Sequence, residues 1–350
     1  MEVEQARVSP SEPTQDAKWY LPDGDVVLHA TDAQSAIRLF RVHKAILAHH
    51  SAVFAGLFTL PTNGATNETY EGAPIIQMQD DADDLAELIG ALYDPDLPLM
   101  RPLDPANPAR ARGAMRLARK YDVDAVRTRI VQRLEADWPK DVIEWLRLCA
   151  DVRKRTELRD AIDRMYVGAP SPEPAPFVPE PASAVRFARE FDVPSILPAA
   201  FYALALTDVR ADWDAPGARR SELFAAARWT LLDATDVLRV ARGKALLCMR
   251  IVDMVGTPLL SDQPFCASCA TNRLPHELSE LWQSYLSTQG FAGGINLANR
   301  PDMIGLYSEF LELLDTDFAG LCARHMGMFR SFFPTAMDAR WRQLPGMFEL

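Results

Sequence analysis

Long apolar runs are missing from this sequence: no stretch approaches the ~20 consecutive residues that a membrane-spanning helix needs, so no membrane partner is expected. A surplus of positive charge is missing as well. Lys and Arg total 37 against 48 Asp and Glu, the formal net charge is −11, and the longest cationic run is Arg153-Lys154-Arg155. So acidic a chain is repelled by a phosphate backbone, which argues against general electrostatic binding to nucleic acid. Cysteine is scarce and odd in number: Cys149, Cys248, Cys266, Cys269 and Cys322. In a chain of this size these read as reduced thiols, and hence as a cytoplasmic or nuclear protein. The opening stretch MEVEQARVSPSEPTQDAK is acidic and has no apolar centre, so it does not read as a secretory signal. The expected location is intracellular.

Catalytic signatures are missing too. No G-x-x-x-x-G-K-[ST], H-E-x-x-H or G-x-S-x-G occurs, and Phe291-Ala292-Gly293-Gly294 follows no strand, so it reads as a loop and not as a dinucleotide site. The expectation is a protein that is not an enzyme and holds no cofactor. One constellation carries metal-ligand chemistry: Cys266-x-x-Cys269 with His276 seven residues on. Thiolates at this spacing grip zinc, but a structural site takes four ligands, and Cys248 or Cys322 would have to come from elsewhere. The alternative is a pair of inert reduced thiols. The acidic run Asp80 to Asp84 also has two readings, a metal site or a helix N-terminus, and the second is the expected one because free N–H groups there favour carboxylates.

What is present is a chain of 350 residues, 48% hydrophobic and 24% charged, enough for about two domains with full cores. Its organising stretch is LFRVHKAILAHHSAVFAGLF, Leu39 to Phe58. Leu39, Phe40 and Val42 are strand residues. A short apolar run follows His43-Lys44, and Ser51 is placed to cap a second helix on whose face Val53, Phe54, Leu57 and Phe58 fall. The adjacent His49 and His50 point to different sides of a helix and do not chelate together.

Three features here resemble the BTB (POZ) family: the aspartate-led strand Asp25-Val26-Val27-Leu28, the strand end Phe40-Arg41-Val42-His43-Lys44, and the helix start Ser51-Ala52-Val53-Phe54. The whole chain resembles the fungal BTB proteins that carry a long helical C-terminal part. The resemblance implies an α+β fold at the N-terminus with a small sheet and helices, followed by an all-α region.

Strands are expected at Asp25–Ala30, Ala36–Val42 and Pro74–Gln79, and a helix after the acidic run that ends before Pro95. Further helices are read at Ala109–Tyr121, Ala125–Ala136, Lys140–Ala150, Thr156–Tyr166, Ala182–Phe191, Ser195–Leu206, Arg219–Ala241 and Lys244–Met254, the last two parted by Gly243. Apolar stripes from Leu278 to Leu286, Met303 to Leu314 and Met326 to Trp341 are core faces. The expected division is a disordered tail at 1–18, a BTB/POZ domain with trailing helices at 19–135, and a helical region at 136–350 with a Pro-rich connector at 168–182. The first core is expected to hold Asp25, Val27, Ala36, Leu39, Phe40, Val42, Ile46, Leu47, Val53, Phe54, Leu57, Ile75, Leu85, Leu88, Ile89 and Leu92. Ala118-Arg119-Lys120-Tyr121-Asp122-Val123 is echoed by Ala188-Arg189-Glu190-Phe191-Asp192-Val193, each followed later by Asp-Trp.

By resemblance, the function is protein–protein interaction: the BTB domain self-associates, as a homodimer, and the helical part is offered to a partner. Family members include substrate adaptors of cullin-based ubiquitin ligases and transcriptional regulators. Adaptors often carry an apolar-x-Glu motif after the Ser-x-x-Phe helix, and Thr59-Leu60-Pro61-Thr62-Asn63 lacks it. The family also implies that Asp25 and Lys44 approach each other beside the dimer surface, forming a pocket with His43, and His43 reads as a corner residue whose ring bonds main-chain groups. The rival class is an enzyme whose site, in residues 140 to 342, carries no motif.

Overall fold

The computed structural model describes residues 12–59, 68–94, 100–165, 177–220, 223–256, 280, 282, 284–285, 302–317 and 323–350. The chain divides into two compact units, Met1–Ala136 and Asp137–Leu350. No described helix is long and apolar enough to cross a membrane.

The first unit is built on a five-stranded sheet in the order β1-β3-β2-β5-β4. Strand β2 (Val26–Thr31) is its centre, antiparallel to β3 (Ile37–Val42) and parallel to β5 (Ala73–Asp81). Val26, Val27 and Leu28 are all fully buried, so the strand reads as an unbroken apolar run because both of its faces are covered. The β2–β3 turn is held by Asp32, whose carboxylate accepts from the amides of Gln34 (3.0 Å) and Ala36 (2.8 Å). β4 (Thr69–Tyr70) falls ahead of the strand expected at Pro74–Gln79, where no strand is expected from the sequence. Glu71 and Gly72, both at positive φ, turn it directly into β5, a hairpin geometry that favours glycine.

β1 (Thr14–Tyr20) runs parallel to β3 at the sheet edge. Residues 14 to 18 are therefore strand, which corrects the expected disordered tail over those positions. Its residues are exposed or half-buried throughout, and such a strand needs no apolar face, so its polar composition hid it. Asp16 interrupts the ladder by accepting from the amides of Lys18 (2.9 Å) and Trp19 (2.8 Å).

Two short helices follow the sheet's corner, α1 (Lys44–His50) and α2 (Ala52–Thr59). Ser51 caps α2 as its sequence position suggests, accepting from the Phe54 amide at 3.0 Å. The same hydroxyl donates to the carbonyl of Tyr121 at 2.5 Å, 70 residues away. Of the apolar α2 residues only Phe54 is buried. Val53 is 45% exposed, a correction to its place in the expected core. Asp25 is another, being exposed.

α3 (Ala82–Tyr93) starts where the acidic run predicts a helix N-terminus: Asp81 accepts from the amides of Asp83 and Asp84. It packs on α4 (Asn107–Lys120), and α5 (Asp124–Asp137) follows. Close approach is possible because Gly113 has no side chain; a Cβ there would fall onto the carboxylates of Asp84 and Glu87. Glu87 accepts from the Ala114 amide at 3.1 Å. Burial, opposed by that bond and assisted by the Asp84 and Asp83 carboxylates, pushes its carboxyl up to about 7 from 4.5. The folded protein therefore holds a proton that the unfolded chain releases near pH 4.5. Stability should fall as pH rises from about 4.5 to about 7, by roughly 1–2 kcal/mol once the open side of the group is allowed for. Glu87→Gln, compared with the parent by chemical denaturation at both ends of that window, should be more stable at the upper end and unchanged at the lower. Equal effects at both ends would remove the proton from the account.

In the second unit, α6 (Val142–Met165) is one helix. The sequence reading splits it in two at residues 151 to 155, but that segment holds no Gly or Pro, and Arg155 and Asp151 pair across one of its turns at 3.4 Å. The Pro-rich connector falls largely at 166–176, outside the described residues. Glu180, almost fully buried, caps α7 (Pro181–Phe191) through the amides of Ala182 and Ser183, so positions 181 and 182 are helix and not connector. α8 (Leu197–Leu206) is apolar all round and buried on almost every side, as a helix at the centre of a domain must be. α9 (Ala234–Gly256) starts later than expected: among the described residues of 219–233 there is only a short 3₁₀ turn, Trp229–Leu231. α9 also passes straight through Gly243, where a Cβ would overlap the ring of Phe348. The glycine serves packing, not helix termination. α10 (Met303–Asp317) and α11 (Ala323–Met347) follow among the described residues.

The sequence echo is a shared turn. After α4 and after α7, Asp122 and Asp192 both take left-handed backbone angles (φ 54° and 58°). The amides of Val123 and Val193 then return to the carbonyls of Ala118 (2.8 Å) and Ala188 (3.0 Å). This is the six-to-one bond of a Schellman helix end.

Candidate functional site

The residues singled out from the sequence meet at one corner of the sheet. His43 is the residue before α1 and makes no side-chain cap. That role passes to Asp25 at the head of β2, whose carboxylate accepts from the amide of Lys44 at 2.7 Å. The expected partnership was with the Lys44 ammonium. The carboxylate meets the main chain instead, because the first free N–H of a helix lies closer than the end of a four-carbon stem and carries the positive end of the helix dipole. Asp25→Ala should therefore cost about 1 kcal/mol and Lys44→Gln almost nothing, measured by thermal or urea unfolding. A large effect of Lys44→Gln would restore the charge pair.

His43 is held by side chains and not by main-chain carbonyls. Its amide donates to the Tyr93 hydroxyl at 2.8 Å, and its Nδ1 lies 2.9 Å from the same oxygen. The hydroxyl has one proton to give, and the Nδ1 contact uses it when the ring is neutral; the ring proton then sits on Nε2, 3.4 Å from the Asp23 carboxylate. Tyr93 is itself packed on Trp19, centroids 5.5 Å apart, and its hydroxyl is raised above the usual phenol range, chiefly by burial. Tyr93, Asp23 and Trp19 complete the corner. Sequence reasoning did not assign them, although Tyr93 falls at the end of the helix expected after the acidic run.

Polar links fasten the edge strand. Tyr20 donates to Glu71 at 2.7 Å, and Arg38 of β3 reaches the Asp16 carboxylate of β1 at 3.9 Å while pairing with Asp83 at 2.9 Å. Behind the corner Asp80, nearly buried, binds the Lys120 ammonium at 2.5 Å and accepts from the Tyr121 hydroxyl. His49 and His50 close α1 with their rings edge to face, 4.9 Å apart, so in this last turn the two side chains meet and do not lie on different sides of the helix as expected.

Cys266, Cys269 and His276 lie outside the described residues, as does Cys322. Among the described residues no group of three His, Cys, Asp or Glu could hold a metal ion. The second unit contains an open cavity of about 440 Å³. Cys149, in its wall, has its thiol pushed up to about 12, by burial first and by Asp302 second, against a smaller pull from Arg153. Tyr202 donates to Asp302 at 2.8 Å and is raised well above its ordinary value by burial. Both shifts disfavour the charged, nucleophilic forms.

A small mixed sheet whose corner is closed by two short helices, with α3 and α4 packed beside it, is the architecture of a protein-interaction module. The family model described as BTB/POZ domain matches residues 23–137. That part of the chain is a BTB/POZ domain, and a helical region follows it. No curated protein and no solved structure matches the chain.

Proposed function

We propose that this protein self-associates through its BTB/POZ domain and offers its helical region to a second protein. The observation that carries the reading is the outer side of α2, where Val53 is 45% exposed and Leu57 and Phe58 are only partly covered. Apolar side chains left outside the core of an interaction domain are the material of an interface. Light scattering on the purified chain should give twice 39.0 kDa, and Val53→Glu should move it toward the single mass. One 39.0 kDa species at tens of micromolar in the parent would overturn the reading.

The narrower role, a substrate adaptor for a cullin-based ubiquitin ligase, rests on the BTB/POZ resemblance and is opposed by the missing apolar-x-Glu motif. Calorimetry with the cullin N-terminal region decides it: direct binding supports the adaptor, and its absence leaves a transcriptional or other regulatory scaffold. Either role places the protein in the cytoplasm or nucleus. An enzymatic role finds no support in the cavity, where burial disfavours the thiolate form of Cys149.

A further inference from the structure

Helix α6 outruns the core it packs on. Its buried residues are Val142, Trp145 and Val152, and residues 153–165 carry the helix on with none buried. At 1.5 Å per residue this extension is about 20 Å long. A bare helix of that length is marginal in water, because helices in proteins owe most of their stability to a packed amphipathic face. Two pairs within the helix brace it, Arg155 with Asp151 at 3.4 Å and Arg159 with Asp163 at 3.1 Å. Exposed pairs of this kind contribute little.

The extension nevertheless has an amphipathic face. Leu158, Ile162 and Met165 stand at i, i+4 and i+7, so they share one side of the helix. Leu158 is 61% exposed and Met165 80%. Lys154 and Arg147, four and eleven residues before Leu158, continue the same line toward the N-terminus. Both cations are exposed, and neither pairs with a described residue. Lys154 is the centre of the longest cationic run in the chain. The cavity lies on the other side of the helix, lined by Trp145, Cys149, Val152 and Thr156.

A second copy of the chain does not match this line. Parallel pairing sets Lys154 against Lys154 and Arg147 against Arg147. Antiparallel pairing of the apolar ends overlaps about two turns, far short of the ~800 Å² per partner of a stable interface, and leaves both cations beyond the overlap. A helix with apolar residues at matching spacing and carboxylates opposite Lys154 and Arg147 satisfies the whole line.

We propose that the outer face of α6 binds an amphipathic helix of another protein, its apolar side on Leu158, Ile162 and Met165 and its carboxylates on Lys154 and Arg147. This rests on the reading that the helical region is offered to a second protein, and it supplies the surface and the partner's chemistry. It is independent of self-association.

The probe is a capped helical peptide with a leucine stripe and glutamates along it, set against a twin with lysine for every glutamate. Fluorescence anisotropy with the full chain should show the acidic peptide binding at least about tenfold more tightly than the twin, and added salt should narrow the gap. Leu158→Gln with Met165→Gln should weaken the acidic peptide at least about tenfold; both side chains face water, so the unfolding midpoint should stay at the parent's value. Lys154→Glu with Arg147→Glu should reverse the preference in favour of the lysine twin, a result that loss of the fold cannot produce. Val53→Glu should leave both affinities unchanged. Equal affinity for the two peptides, binding of neither at millimolar concentration, or no reversal in the charge variant would each overturn the proposal. A mass by light scattering that falls in the Leu158/Met165 variant would assign the face to a second copy and overturn it as well. Partner proteins retained from a lysate equally by the parent and that variant would overturn this surface and leave the broader reading standing.

Discussion

Gly243→Ala should destabilise the second unit by about 2–3 kcal/mol, although alanine is the better helix former by about 1 kcal/mol. The two effects oppose each other, and the geometry decides. A Cβ at 243 would overlap the Phe348 ring, which is fully buried and packs on Phe201 with centroids 5.6 Å apart. The ring has no open side to move into, so the added methyl forces a shift of helix or ring. Phe348→Ala alone should cost about 3–5 kcal/mol through the cavity it leaves. The decisive measurement is the double change. With the ring removed, Gly243→Ala should reverse sign and stabilise, by up to ~1 kcal/mol from helix propensity alone. Unfolding followed by tryptophan fluorescence reports chiefly on this unit, since of the seven tryptophans only Trp19 lies outside it. A loss of equal size in both backgrounds would show that the ring is not what excludes the methyl.

The second large effect is expected at Asp80. Its carboxylate sits with 9% of the residue exposed, between the Lys120 ammonium and the Tyr121 hydroxyl. Burial and this carboxylate together hold the Tyr121 hydroxyl far above its ordinary range. Asp80→Ala leaves the hydroxyl without its acceptor but leaves a half-exposed lysine access to water, so the cost should be about 2–3 kcal/mol, below that of breaking a fully buried ion pair. Tyr121→Phe should cost about 1 kcal/mol. The two changes touch one bond and should not add, with a coupling above ~0.5 kcal/mol. Hydrogen exchange of the β5 and α4 amides reads this in the first unit alone. Strict additivity would mean that Asp80 works only through Lys120.

Where a side chain's job is decided by its sequence neighbours, the sequence was readable. Ser51 as a cap, Asp81 at the head of α3 and the strands β2 and β3 all follow from local pattern, whereas the left-handed turns behind the Ala118 and Ala188 echo are seen only in the fold. What it concealed depends on partners distant along the chain. β1 is polar because an edge strand needs no buried face. Gly243 looks like a helix breaker until Phe348, 105 residues on, is seen against it. Asp25 looks like half of an ion pair until the Lys44 amide is found nearer than its ammonium. Val53 falls on the same apolar stripe as Phe54, but α2 is only eight residues long and buries a single anchor. The candidate corner was half legible: Asp25, His43 and Lys44 came from the sequence, while Tyr93, Asp23 and Trp19 are brought in by the fold.

The bond from Ser51 to the Tyr121 carbonyl spans 70 residues, and that span sets a timetable for biosynthesis. Translation adds about 5–20 residues per second, so Ser51 waits roughly 4–14 s on the ribosome before its acceptor is made. The parallel partner of β2 also arrives late, 48 residues downstream by its Val27–Ile75 register. Until β5 and then α4 are made, β2, β3 and the apolar side chains of α1 and α2 are exposed on a nascent chain without the elements that cover them. A ribosome-stalled chain ending before α4 should therefore recruit chaperones and be cut readily by protease, and one extended well past Tyr121 should lose both properties together.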